Sequence, residues 1–126
     1  MKVIDDGVIK YDRSNFSHSG PLEIVEYFNL ESWRMRLYEL NLIGEYKDEG
    51  VGFGNISEVK NYCNFVDSPL PQFIITGTQT GKYPKLDGSQ YTRLVDYNIE
   101  QLKISVIGPI EASSEALTHA AIYSFN

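Results

Sequence analysis

The chain has 126 residues and a mass of 14.3 kDa, a size that suits one domain covering 1–126. Its 42% hydrophobic content is too high for a disordered chain, and its formal net charge of −6 argues against nucleic acid, whose nonspecific binding depends on neutralising phosphates. The single cysteine, Cys63, excludes an internal disulfide and a zinc site made of thiolates. Acids at Asp5 and Asp6 exclude a signal peptide, and no apolar run is long enough for a membrane span. We therefore expect a soluble, cytoplasmic protein with no nucleic acid and no membrane as partner.

The first half of the chain predicts a strand, a helical segment and a second strand region. Residues 1–20 predict a short strand followed by a loop that includes 17–20. Pro21 can open a helix, because a helix has no acceptor for the N–H that proline lacks at that position. Apolar residues at helical spacings then predict one helix, or two, over about 21–43, with Gly44 as the stop. Glycine alternates with apolar residues over 50–55, which predicts a strand that permits close approach of other backbone, and 56–59 continues the alternation.

The second half predicts three more strands and a final helix. A loop at 68–71 precedes a compact apolar strand at 72–76, and a long loop follows over 77–90. Two strands at 91–97 and 101–107 are predicted to join at Asn98, and 113–125 has helical periodicity. This order predicts a layered α/β or α+β domain. No cap closes the last helix before Asn126, so we expect the chain to be cut off there.

Two glycine-rich segments do not match the nucleotide-binding loops that they resemble in composition. A phosphate loop needs four residues between its glycines and Ser or Thr after the lysine, whereas three residues separate Gly77 from Gly81 and Tyr83 follows Lys82. The glycines at 50–54 also fail the dinucleotide pattern, because Asn55 stands where the third glycine belongs.

The segment Ser113-Ser114-Glu115 has two interpretations. Hydroxyls and N–H groups at a helix N-terminus can bind an anion, but the same residues form an ordinary cap with an acid in the first turn. Glu115 and His119 lie at i and i+4 and share a helix face. That pair suits a metal ion or a surface ion pair, and the only other histidine, His18, is far away in sequence.

Four segments in order resemble the class II aldolase/adducin family. They are the leading helix, Gly-Asn-Ile-Ser at 54–57, an apolar strand and small loop at 73–78, and Ala-Ser-Ser-Glu at 112–115. The helical continuation at 116–123 also resembles the family pattern. With the leading helix, the likeness covers about residues 25–125. The resemblance implies an α/β fold in which a three-layer α/β/α sandwich surrounds a mixed, largely antiparallel sheet, truncated after the Ser-Ser-Glu helix. It also implies a homo-oligomer, a tetramer by that likeness.

The resemblance also implies a site for a small phosphorylated substrate. Its phosphate pocket would be lined by Gly54, Asn55, Thr76, Gly77, Thr78, Ser113 and Ser114. Glu115 would be a ligand of Zn²⁺, or of another divalent metal, and the acid/base in carbon–carbon cleavage, with His119 as a supporting neighbour. In aldolases of the family, three later histidines complete the zinc site.

The departures from the family pattern leave three hypotheses. No histidine follows His119, Ala112 replaces the usual proline, and the loop after Thr76 has Gly77 where proline is common and is one residue longer. The first hypothesis is the N-terminal part of an aldolase-type lyase, inactive as these 126 residues alone. The second is a noncatalytic binding or scaffold domain of the adducin-head type, in which Glu115→Gln leaves partner binding unchanged. The third is an unrelated α/β module whose motif matches are chance, which a large separation between 54–57 and 113–115 would support.

Overall fold

A computed structural model describes residues 9–60 and 66–125. Residues 1–8, which begin the predicted N-terminal strand and loop, and Cys63 lie outside the described residues. The elements in chain order are β1 (Asp12–His18), α1 (Ile24–Glu39), β2 (Gly44–Tyr46), β3 (Val51–Phe53), β4 (Ser57–Val59), β5 (Phe73–Thr76), a 3₁₀ turn (Gly88–Gln90), β6 (Tyr91–Asn98), β7 (Lys103–Gly108) and α2 (Ala116–Ser124).

A mixed sheet of five strands, in the order β1-β7-β6-β5-β4, forms the centre of the fold. Strand β1 runs parallel to β7, whereas the other three neighbouring pairs are antiparallel. Strands β2 and β3 form a separate antiparallel hairpin, in which Gly44 pairs with Phe53. The predicted α/β fold with a mixed, mainly antiparallel sheet is therefore confirmed at this level.

Side chains of β5 alternate between two apolar clusters, as a pleated strand requires. Phe73 and Ile75 belong to the cluster that includes Ala116 and Ala120 of α2. Ile74, between them in sequence, belongs to the cluster that includes Leu30 of α1. All three β5 side chains are fully buried, and burying an apolar side chain of this size contributes about 1.5–3 kcal/mol. Each helix is thus attached to the sheet by its own apolar cluster.

Helix α1 begins later than the sequence predicts, at Ile24 and not at Pro21. The backbone N–H of Leu22 donates to the carbonyl oxygen of Gly88 over 2.9 Å, and the Leu22 side chain is buried. These contacts tie residues 21–22 to the turn before β6 in a non-helical conformation. The helix is then started by the Glu26 carboxylate, which accepts from the N–H of Glu23 at 2.7 Å.

Helix α1 also ends earlier than predicted, because Asn41 and not Gly44 stops it. Asn41 has φ 61°, in the left-handed region that asparagine tolerates. The N–H of Asn41 donates to Tyr38 O at 3.1 Å, and the N–H of Leu42 donates to Leu37 O at 2.9 Å. This pair of bonds satisfies the last carbonyls of the helix in a Schellman motif. Gly44 is instead the first residue of β2.

The remaining boundaries follow from long-range pairing. Strand β1 continues through His18, which was predicted to lie in a loop, because His18 pairs with Gly108 of β7. The turn between β6 and β7 follows Asn98 and does not begin on it. The strand region predicted over 50–59 forms two strands in different sheets, β3 in the hairpin and β4 in the five-stranded sheet, whereas the strand predicted at 72–76 is present as β5. The loop at 77–90 is present, with the short 3₁₀ turn at its end. No helix within 9–60 and 66–125 is long and apolar enough to cross a membrane.

Candidate functional site

Three segments that are distant in sequence meet at one polar cleft. The space between their atoms, including the part open to solvent, is about 280 Å³. The cleft is lined by Gly52, Phe53, Gly54, Asn55, Gly77, Gln79, Thr80, Gly81, Ser113 and Ser114. None of these lining side chains carries a charge. The cleft therefore offers backbone groups, hydroxyls and amides to a ligand.

Glycine allows the backbone of β3 to approach the loop after β5. A Cβ added at Gly81 would lie 2.2 Å from the carbonyl oxygen of Phe53, far inside van der Waals contact. Gly54 has φ 86°, and a Cβ there would lie 2.9 Å from the carbonyl oxygen of Leu42. Two walls of the cleft therefore need glycine, in agreement with the close approach that the sequence predicts for 50–55.

Thr76 joins the three segments but is not among the residues that line the cleft. Its backbone N–H donates to Ile56 O at 3.2 Å, and its carbonyl oxygen accepts from the N–H of Ser113 at 3.0 Å. Its Oγ1 also accepts from the N–H of Ile56 at 3.3 Å, and the residue is 1% exposed. The polar groups of Thr76 therefore connect the walls of the cleft, and its predicted contact with substrate stays a prediction.

Thr78 also lies outside the cleft lining, although the sequence analysis placed it in the pocket. Its backbone N–H donates to the carbonyl oxygen of Glu111 at 2.9 Å, which turns this residue toward the segment before Ser113. The next residue, Gln79, has φ 58° and enters the lining together with Thr80. The tight turn at 78–79 therefore leads from Thr78, outside the lining, to Gln79, within it, and a contact of Thr78 with substrate stays a prediction.

A buried arginine of α1 holds the loop after β5 in place. The Nη2 of Arg34 donates to Thr80 O at 2.9 Å and to Tyr83 O at 2.6 Å. Arg34 is 0% exposed, and burial lowers its pKa while nearby Glu31 raises it. Since an arginine remains protonated at neutral pH, a fixed positive charge lies behind this loop. Its Nε and Nη1 have no hydrogen-bond partner within the described part of the chain.

His119 connects α2 to two segments near the cleft. Its Nδ1 lies 2.6 Å from Ser57 Oγ, and its Nε2 contacts Asn55 Oδ1. Ser57 Oγ also lies 2.6 Å from Tyr123 Oη, so four side chains form one continuous network. Burial lowers the pKa of His119, although Glu115 raises it. The imidazole is therefore neutral at pH 7, with both ring nitrogens in use.

Glu115 follows the cleft residue Ser114 and has a partly exposed carboxylate. Its Oε1 lies 3.7 Å from Lys10 Nζ, and its Oε2 accepts from Thr118 Oγ1 at 3.2 Å. The helix begins one residue later, so Glu115 occupies the cap position that the sequence analysis gave to serine. Ser113 Oγ still accepts from the N–H of Glu115, at 3.3 Å.

The described residues do not by themselves fit a divalent metal. Zinc in a catalytic site takes three protein ligands, and no group of three or more His, Cys, Asp or Glu side chains suitable for a metal occurs in 9–60 and 66–125. His119 uses both ring nitrogens in hydrogen bonds, which leaves Glu115 as a single carboxylate beside Lys10. Any metal at Glu115 therefore needs ligands from other residues.

The structure brings most of the predicted pocket residues together. Gly54, Asn55, Gly77, Ser113 and Ser114 all line the cleft. A large separation of 54–57 from 113–115, which would have supported the unrelated-module hypothesis, is not observed, and that hypothesis stays open. Contacts of Ser113 with the end of β5, and of His119 with 55 and 57, bring these segments together.

Sequence reasoning missed several residues of the cleft and its support. Gly52, Gln79, Thr80 and Gly81 line it, and Arg34 lies behind it. The glycine-rich run at 77–82 is the sequence signal for the missed loop residues, but its spacing predicts only a turn.

Comparisons of the chain with models of protein families, with curated proteins and with solved structures found no match.

Proposed function

We propose that this chain binds the phosphate group of a small phosphorylated molecule in the cleft, as a domain of the class II aldolase/adducin type. One observation carries the proposal: the segments at 54–55, 77 and 113–114, which the resemblance assigns to a phosphate pocket, line a single cleft. The three-layer α/β/α arrangement of that family belongs to the same proposal. The two apolar clusters, one with each helix, support it.

The chemistry of the cleft suits an anion that accepts many hydrogen bonds. Ser114 lines the cleft and is 9% exposed, and its hydroxyl makes no hydrogen bond within residues 9–60 and 66–125. Its Oγ is not among the fully buried polar atoms that lack a partner in that part of the chain, so the hydroxyl is accessible from the cleft and can donate to a ligand. Phosphate oxygens accept from hydroxyls and backbone N–H groups, and the buried Arg34 guanidinium adds a favourable field from behind the loop.

Nuclear magnetic resonance of the ¹⁵N-labelled chain tests the proposal with an internal control. Titration with glycerol 3-phosphate should shift the amide signals of Gly52, Gly54, Gly77 and Gly81, which line the cleft. Gly20 does not line the cleft and should not shift. Glycerol, which lacks the phosphate, should leave all of them unchanged. Equal shifts at Gly20, or no shift with millimolar ligand, would exclude phosphate binding at this cleft.

A serine pair provides the matched variants. Ser114→Ala removes a hydroxyl that no described protein group uses, so we expect the Kd for glycerol 3-phosphate to rise about tenfold while stability changes little. The control is Ser32→Ala on the exposed surface of α1, where the hydroxyl donates to Phe28 O at 3.1 Å. Its Kd should equal that of the unaltered chain. Equal Kd values for both variants would remove Ser114 from the binding site.

Catalysis by a metal-dependent lyase is a further part of the proposal, and it depends on histidines outside these 126 residues. Glu115 supports it through its position directly after Ser114 and its partly exposed carboxylate. With metal bound, such a site would polarise a carbonyl oxygen, and Glu115 would hold or transfer a proton. We expect the 126-residue chain to bind no Zn²⁺ at micromolar concentration in a calorimetric titration. Tight binding that Glu115→Gln abolishes would show that the chain supplies the missing ligands itself.

Self-association and a cytoplasmic location complete the proposal. Apolar side chains on α1 and at its C-cap support assembly, because Val25, Phe28 and Trp33 on the helix and Leu40 at the cap are each more than half exposed. Light scattering during size-exclusion chromatography should give a mass several times 14.3 kDa, a tetramer in the family interpretation. A mass of 14.3 kDa at high protein concentration would contradict it.

A further inference from the structure

We propose that His119 is a positioning residue, which together with Ser57 and Tyr123 fixes the amide of Asn55 so that its N–H donors serve the anion in the cleft. This inference rests on the proposed function and adds a specificity device to it. The network joins the segment after β3, strand β4 and helix α2. The orientation of Asn55 depends on where each hydrogen of the network lies.

The proton positions follow from the acceptors. Asn55 Oδ1 is an amide oxygen that can only accept, so His119 Nε2 carries a proton and donates to it. A neutral imidazole then has no proton on Nδ1, which must accept from Ser57 Oγ at 2.6 Å. Ser57 has donated its one hydrogen, so its oxygen accepts from Tyr123 Oη at 2.6 Å. Every hydrogen of the network therefore has a single place.

This arrangement decides which end of the Asn55 amide is available. Its oxygen is held by His119, whereas its Nδ2 has no acceptor among the described residues. An amide without such a partner can turn over and present its oxygen, whose partial negative charge repels a phosphate. Because Asn55 lines the cleft, the histidine bond selects the donor end for the ligand. The gain is in discrimination: the site favours acceptor anions over neutral donors.

The network is also held from both sides. Ser57 lies on β4 opposite Ile75 of β5, whose side chain is fully buried. The Tyr123 ring lies 4.9 Å, centroid to centroid, from the ring of Phe73. Rigid supports of this kind reduce the reorganisation needed when a ligand binds. The orientation of Asn55 is thus linked to the packing of α2 on the sheet.

Two substitutions of His119 distinguish a role in positioning Asn55 from a role in stability alone. The amide of glutamine reaches about as far as Nε2, so His119→Gln keeps a donor for Asn55. The shorter amide of asparagine lies near the place of Nδ1, so His119→Asn keeps a partner for Ser57 only. Both variants lose the imidazole and should lose similar stability. We expect the Kd for glycerol 3-phosphate to stay within about threefold for His119→Gln and to rise about tenfold for His119→Asn. Equal Kd values for the two folded variants would overturn the proposal.

A measurement on the unaltered chain keeps the proposal testable if neither variant folds. The ¹⁵N shifts of the His119 ring report which nitrogen is protonated, and we expect the proton on Nε2 with or without glycerol 3-phosphate. The side-chain amide signals of Asn55 should shift with ligand. A proton on Nδ1 alone would overturn the positioning role. Protonation of Nε2 in a chain that binds no phosphate would instead contradict the proposed function and leave the network purely structural.

Discussion

Replacing Gly81 by alanine tests the backbone contact that shapes the cleft. The new Cβ would lie 2.2 Å from the carbonyl oxygen of Phe53 and 2.9 Å from its carbonyl carbon and nitrogen. All three atoms belong to the backbone of β3, so no side-chain rotation can relieve the clash. The loop or the strand must move by about 1 Å to restore ordinary contact. Overpacking of this kind costs about 1–3 kcal/mol, offset in part by the lower entropy of an unfolded chain with alanine.

Thermal unfolding followed by circular dichroism measures the effect. For a domain of this size, 1–3 kcal/mol corresponds to a fall in Tm of about 4–12 °C. The matched control is Gly20→Ala, where nothing lies within 4 Å of the added Cβ and Tm should change by less than about 3 °C. We expect millimolar glycerol 3-phosphate to raise the Tm of the unaltered chain, and Gly81→Ala should lose that rise. If Gly81→Ala keeps both its Tm and its response to ligand, the tight approach of the loop to Phe53 is refuted.

Two further predictions concern buried charge and pH. Arg34→Met leaves the carbonyl oxygens of Thr80 and Tyr83 without their donor, so it should lower the free energy of unfolding in urea by about 3–5 kcal/mol. The control Arg13→Met breaks only an exposed ion pair and should lower it by less than about 1 kcal/mol. Equal losses in the two variants would contradict the role of the buried arginine. Burial lowers the pKa of His119 in the folded chain, so the unfolded chain binds a proton more readily at this residue. The resulting stability is fully present above the unfolded pKa of about 6.5 and should be lost as the pH falls through the folded pKa. Urea unfolding between pH 7.5 and 5 should show this loss in the unaltered chain and not in His119→Gln, and the same slope in both would assign it to other groups.

The sequence predicts the sheet better than it predicts the ends of α1. Strand β5 has four consecutive buried residues and is recognisable from its apolar run alone. The start of α1 depends on the bond between Leu22 and Gly88, which no local pattern encodes. Its end depends on Asn41 in a left-handed conformation, three residues before the glycine that the pattern favours. Local signals thus identify the elements, and contacts between distant residues set their bounds.

In the cleft, too, local sequence signals identify some residues, whereas contacts between distant residues position the others. Short segments such as Gly54-Asn55 and Ser113-Ser114 are visible in the sequence because a likeness draws attention to them, and the structure places them together. The loop after β5 is different, because its conformation is held by Arg34, which is 46 residues away from Thr80. In the sequence, Arg34 is one polar residue within a helical segment. Its burial appears only when α1 is packed over the loop.

The bonds of His119 distinguish the proposed phosphate binding from metal binding. A metal at His119 would have to displace either Asn55 or Ser57 from a ring nitrogen, and loss of the Asn55 bond would release the amide that we propose as a donor to the anion. Glu115 takes no part in that network, since its carboxylate contacts Lys10 and Thr118. We therefore expect Glu115→Gln to leave the Kd for glycerol 3-phosphate within about twofold, while His119→Asn raises it. A large effect of Glu115→Gln would mean that the carboxylate itself contacts the anion site, and then the binding-domain and lyase hypotheses could no longer be separated at this residue.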